Sequence, residues 1–187
     1  MSNIVLKGST SGDVTITVPA EAGSNTITIP ATTGTMLDTN SVIASSKLPA
    51  GSIRQVVNAT ITGVNSTTGT TYVTSSVTAA ITPSSTSSKI IVMMCSSVYI
   101  SGANQQASTT IFRGSTNLGN SARGIVQYWD TGDLFQGNAS MVLTDSPSST
   151  SAVTYALYFR KLSSGGDAVY IGVDNTTQFI TLLEVQG

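Results

Sequence analysis

The stretch Tyr128-Trp129-Asp130-Thr131-Gly132-Asp133-Leu134-Phe135 holds the sole tryptophan of the chain, two carboxylates three residues apart and two further aromatics. Aromatic faces stack on the apolar side of a sugar ring, and carboxylates accept hydrogen bonds from its hydroxyls. Tyr128, Trp129, Asp130, Asp133 and Phe135 are therefore a candidate glycan-contact loop. The competing reading makes Asp130 to Asp133 the turn of a hairpin and packs the aromatics into a core. Paired carboxylates also carry out glycoside hydrolysis. Yet Asp13, Asp38, Asp145, Asp167 and Asp174 each stand beside Gly, Ser, Asn or Thr, where an aspartate caps a turn. Glu21 lies in an N-terminal repeat and Glu184 in the final apolar run.

Histidine is absent. With it go the commonest general base, the Ser–His and Cys–His nucleophile pairs and the commonest zinc ligand. One cysteine, Cys95, cannot build a thiolate cluster or an internal disulfide. It sits in the apolar run Ile90 to Cys95, where an inert, buried core thiol is expected. No glycine-rich phosphate loop or dinucleotide fingerprint occurs. A calcium site at Asp130 to Asp133 needs more oxygen ligands than one loop supplies. The expectation is a protein without catalytic residues, cofactor or metal, whose working parts are surfaces.

Of 187 residues, 40% are hydrophobic and only 9% charged, against roughly 25% charged in an average soluble domain. Polarity comes instead from 28 serines and 29 threonines. Threonine and valine suit pleated strands, and serine, glycine and asparagine suit turns. A net charge of −1 with scattered basic residues argues against nucleic acid as a partner. No run approaches the roughly 18 apolar residues of a membrane span, and no secretory signal is visible at Met1 to Leu6. The chain is expected to be made in a cytoplasm without inserting into a membrane.

These residues must be positioned by strands. Apolar runs separated by turn chemistry predict strands over 52–61, 70–80, 89–101, 108–113, 124–129, 139–144, 152–162, 168–172 and 178–185. Alternation is clean from Val153 to Arg160, with Val153, Tyr155, Leu157 and Phe159 on one face. Eight to ten strands without a credible helix predict a two-sheet sandwich of jelly-roll type over 49–187.

Residues 1–48 are a different object. Gly12, Gly23 and Gly34 are eleven residues apart, and Ile16-Thr17-Val18-Pro19-Ala20 returns as Ile27-Thr28-Ile29-Pro30-Ala31. Each unit has one narrow apolar row and no partner layer, and isolated hairpins are marginal in water. Such repeats become stable by stacking or by association with copies of themselves. Val14, Ile16, Val18, Ile27 and Ile29 are thus the candidate trimer interface of an extended β-repeat segment. An edge hairpin folded onto the sandwich is the alternative.

Leu6 to Ile16, Asn25 to Pro30 and Thr33 to Leu37 resemble the N-terminal segment of fibre and other virion proteins from tailed bacteriophages, especially those of aquatic bacteria. Pro83 with Ser87 to Ile90, Ile111 to Gly119, Leu143 to Pro147 and Ile180 to Val185 are similar to the domain often found behind it. The resemblance implies a homotrimeric virion fibre or knob with a head comparable in outline to the tumour-necrosis-factor fold. It also implies contact with other virion proteins through the N-terminal segment and a place on a virion assembled in a host cytoplasm. Long tail fibres of this kind carry a dedicated attachment domain and a long shaft, neither of which is read in this sequence, and that departure favours a short fibre, a horn or a capsid-decorating protein. A host surface glycan is the expected ligand of a fibre. A monomeric carbohydrate-binding module is the reading outside the virion frame.

Overall fold

Alternating apolar and polar residues between turn sequences become strands, as expected, and every strand pairing is antiparallel. The structure, a computed structural model, describes residues 4–7, 9–16, 48–132 and 134–187. It is all-β, with a single 3-10 turn at Val173–Asn175 and no α-helix among the described residues. Two compact units divide the chain, Met1–Val42 and Ile43–Gly187.

The first unit contains β1 (Ile4–Lys7) and β2 (Asp13–Ile16), paired from Ile4↔Ile16 to Lys7↔Asp13. Gly12 takes φ +82° at the reversal, a conformation open to glycine without strain. Val5, Leu6 and Ile16 are exposed. Of the expected trimer rows, Val14 and Ile16 lie on β2. Val18, Ile27 and Ile29 lie outside the described residues.

The second unit is a β-sandwich. Its strands are β3 (Ile53–Ile61), β4 (Asn65–Thr67), β5 (Val73–Ile81), β6 (Lys89–Ser101), β7 (Gln106–Arg113), β8 (Thr116–Asn117), β9 (Val126–Trp129), β10 (Leu134–Asp145), β11 (Val153–Lys161), β12 (Val169–Ile171) and β13 (Gln178–Val185). One sheet runs β3-β13-β6-β10, with β12 and β4 continuing beside the far half of β6. The other runs β5-β11-β7, with β8 and β9 both on the outer side of β7. From β5 to β6 to β7, and again from β9 to β10 to β11, the chain passes from one sheet to the other.

The core lies between the layers. Val92, Met94, Ile180 and Leu182 face Ile111, Tyr155, Leu157 and Phe159 across it. Parity on β6 is strict, with Ile90, Val92, Met94, Val98 and Ile100 inward and the odd positions outward. Cys95 is consequently not a core residue. It is half-exposed on the outer face, where its Sγ donates to Asn138 Oδ1 at 3.2 Å. The run Ile90 to Cys95 is apolar on both faces, so hydropathy alone gave no parity.

Each inward row closes on a polar group. On β13, Ile180 and Leu182 are flanked by Gln178 and Glu184, both fully buried. Gln178 Nε2 donates to the Gly63 carbonyl at 2.8 Å, and Ser96 Oγ donates to Gln178 Oε1 at 2.8 Å. Glu184 Oε1 accepts from Ser84 N–H (2.7 Å), Ser84 Oγ (2.5 Å) and Ser88 Oγ (2.6 Å). Gln55 Nε2 donates to its Oε2 at 2.6 Å. Burial by itself raises the carboxyl pKa, but these donors outweigh it and hold the group down at about 2. On β11 the row Tyr155, Leu157, Phe159 ends in buried Lys161, whose Nζ donates to the carbonyls of Gly165 (3.0 Å) and Asp167 (2.7 Å).

Asp145, expected to cap a turn, instead ties the two sheets together. Arg113 Nη1 on β7 reaches both of its oxygens at 2.9 and 2.8 Å, and Tyr155 Oη on β11 donates to Oδ2 at 2.7 Å. Burial, followed by the contact with Asp145, pushes the Tyr155 hydroxyl far above its ordinary pKa.

Candidate functional site

The aromatic loop is divided by strand parity. Tyr128 and Trp129 are neighbours on β9, so their rings leave opposite faces. Tyr128 is 7% exposed and packs on Phe135, with ring centroids 5.6 Å apart. Its hydroxyl shares a hydrogen bond with Thr109 Oγ1 and donates to the Asn138 carbonyl, both at 3.3 Å. Burial drives its pKa up to about 12, against the opposite pull of Thr109. Phe135 is half-buried against the core. Trp129 stands outward, 67% exposed.

Asp130 is 5% exposed. Its Oδ1 accepts the Gly132 N–H at 2.8 Å, the turn-capping bond expected of an aspartate there, and Oδ2 has no partner. Asp133 lies outside the described residues. Because β9 and β10 belong to different sheets, Asp130 to Asp133 connects the two layers and is not a hairpin turn. Of the four candidate residues that are described, Tyr128 and Phe135 come together inside the sandwich, Asp130 is enclosed beside them, and Trp129 is offered to solvent.

The outer face of the second sheet carries a shallow cleft of about 430 Å³. Tyr72, Phe112 and Tyr158 cluster there, with Phe112 and Tyr158 stacked at 4.0 Å. Arg160 lies over the Tyr72 ring, Cζ 4.2 Å from its centroid. Its Nη atoms donate to the carbonyls of Thr70, Ser121 and Ala122. The guanidinium therefore fastens two loops over the aromatics, and the cleft has no carboxylate or thiol to act beside it. No group of three or more Cys, Asp or Glu side chains with metal-site geometry occurs among the described residues. Among the same residues, no helix is long and apolar enough to cross a membrane.

The outer face of the first sheet has two zones. Toward the start of β6, register aligns Val56, Leu183 and Ile91 in one row that ends at Thr144, and Met93 with Val142 in the next, which begins at Asn58 and Thr181. Phe179 and Cys95 follow. Val142 is 68% exposed, Val56 58% and Phe179 40%. Among the described residues, none of these rows carries a charged side chain; Lys89, paired with Val185 at the rim, lies one row beyond them. Toward the end of β6 the outward residues become Ser97, Tyr99 and Ser101, with Tyr170 and Gln136 beside Tyr99. Sequence reasoning missed both zones. The signal was present in the odd positions of β6, but an unbroken apolar run hides it, and the row partners come from distant strands.

Scanned against protein-family models and against curated proteins, the chain matches none.

Proposed function

We propose that this chain is a non-enzymatic structural component of a bacteriophage virion, a short homotrimeric fibre with a jelly-roll knob. The observation that carries the reading is the apolar outer face around Val56, Ile91, Met93, Val142, Phe179 and Leu183. Contiguous exposed apolar surface of this kind marks an interaction site. The near absence of charge on it suits burial beside a three-fold axis, where the same residues of three copies converge and like charges would otherwise meet. The strand order supports the jelly-roll reading. β3, β13, β6 and β10 form one layer and β5, β11, β7 and β9 the other, so successive long strands alternate between layers. The virion assignment rests on the residues of 6–37 and 83–185 that resemble tailed-phage fibres. Exposed Val5, Leu6 and Ile16 support an N-terminal segment that docks on other virion proteins. A capsid-decorating role shares this assembly and differs in having no host contact.

Light scattering during size exclusion tests the assembly. The expected mass is three times the 19.2 kDa chain, falling to one chain in Val142→Asp. Such an exposed position changes fold stability by roughly 0.5 kcal/mol or less. A wild-type mass of one chain overturns the proposal.

A further inference from the structure

We propose that the far end of the same sheet face is a platform for a neutral glycan, built on Tyr99 and Tyr170. The inference deepens the fibre reading and rests on it for the source of the ligand, a host surface. Tyr99 on β6 and Tyr170 on β12 are register partners, with ring centroids 5.6 Å apart and planes tilted by 46°. The row continues to Ser66 on β4 and to Gln136 on β10. Both rings are half-exposed, and Ser66 and Gln136 are exposed.

Hydrogen-bond accounting separates these tyrosines from three of the other four, the exception being Tyr158, whose ring is stacked on Phe112. Tyr72 is bonded to Ser108, Tyr128 to the Asn138 carbonyl and Tyr155 to Asp145. Among the described residues, the hydroxyls of Tyr99, Tyr170 and Ser66 and the amide of Gln136 have no protein partner. Four strands about 4.8 Å apart spread these groups over about 14 Å. An extended polyhydroxylated chain matches that row, laying apolar ring faces on the tyrosines and hydroxyls on the tips between them. Tyrosine presents such area with little rotamer freedom to lose, and a sheet holds it in place without loop ordering.

Charge decides between sugar classes. Neither this row nor its neighbours, Ser97 with Asn138 and Ser101 with Leu134, carries a charged side chain. Nothing there would pair with a uronic acid or a sulfate, so the ligand is neutral. Tyr99 lies four residues along β6 from Cys95, the register partner of Phe179 at the near edge of the apolar rows, and eight from Ile91, roughly 13–26 Å. A second copy seated on the apolar rows therefore need not cover the platform.

The test is native electrophoresis of the full chain through gels containing dextran, galactomannan or hydroxyethylcellulose, with alginate as the anionic comparison. At least one neutral polymer is expected to retard the protein. Tyr99→Ala and Tyr170→Ala are each expected to weaken that retardation at least tenfold, while Tyr99→Phe keeps most of it. Gln136→Ala, at an exposed position, provides a partial loss independent of any tyrosine. Retardation by none of the three neutral polymers, by alginate alone, or undiminished in variants with unchanged circular dichroism overturns the platform. A single-chain mass with neutral-polymer retardation overturns the trimeric fibre and keeps the platform, and a trimer without retardation does the reverse.

Discussion

Replacing Glu184 by glutamine preserves shape and removes a charge that the fold has been built to hold. Three donors converge on Oε1 and one on Oε2, with no exposure to water. The gap between the ordinary 4.5 and about 2 corresponds to about 3 kcal/mol, at about 1.4 kcal/mol per pKa unit. Glutamine retains an acceptor for the serines but turns an amide toward Gln55 Nε2. If Gln55 flips to accept, it surrenders its bond to the Thr82 carbonyl. Glu184→Gln should therefore cost about 2–4 kcal/mol at pH 7, or roughly 6–12 °C in Tm for a chain of this size. The sign of its pH dependence follows from a folded pKa below the unfolded one. The carboxylate's contribution is complete above about 4.5 and disappears as pH falls toward about 2. Wild type and variant should differ fully at pH 7 and 5.5 and converge between pH 4 and 2. Urea unfolding followed by far-UV circular dichroism, at one protein concentration, measures that difference, and other titrating groups cancel in it. A difference that stays constant from pH 5.5 to 2.5 would falsify the account of Glu184 as a held carboxylate.

Three further substitutions test the frame around the surface zones. Removing the Tyr155 hydroxyl (Tyr155→Phe) should cost about 1 kcal/mol, whereas Arg113→Ala, which strands the largely buried Asp145, should cost about 3 kcal/mol. Their double variant should be less destabilised than the sum, as denaturant titration will show. Gly124→Ala should lose about 2–3 kcal/mol. Gly124 has φ +69°, and an added Cβ would lie 2.5 Å from the Thr109 carbonyl oxygen and 2.8 Å from the Tyr72 hydroxyl. A thermal midpoint within 2 °C of wild type would refute that strain.

Where local chemistry agreed on both sides of a run, the sequence told the truth to the residue. Lys89–Ser101 and Gln178–Val185 are bounded as expected because serine, glycine and threonine punctuate them. The strand expected over 139–144 begins at Leu134, five residues earlier, and runs through Gly137. The Phe135 ring lies against Gly137, where an added Cβ would sit 2.6 Å from Cζ, and an aromatic over a strand glycine compensates for its missing side chain. No strand was expected between 61 and 70, because Gly63 to Asn65 carries turn composition and only pairing with β12 makes Asn65–Thr67 a strand. Of the loop at Tyr128 to Phe135, the turn-capping Asp130 and the inward packing of Tyr128 and Phe135 were legible as the alternative to sugar contact. The tyrosine row was not legible, because Tyr99 and Tyr170 become neighbours only through the register of two strands far apart in the chain.

The last strand in chain order, β13, lies inside its sheet, bonded to β3 on one side and to β6 on the other. Until its eight residues leave the ribosome, β3 and β6 have no partner along those edges, and Glu184 cannot organise the loop at Ser84 to Ser88. Closure of this layer therefore waits until β13 has been made, after every other described strand, and is dominated by long-range contacts. During that interval the apolar outer rows around Val56 and Ile91 are exposed on an incomplete sheet. Any association through them then competes with folding for the same surface, and a cell making this protein quickly would meet that competition first as aggregation.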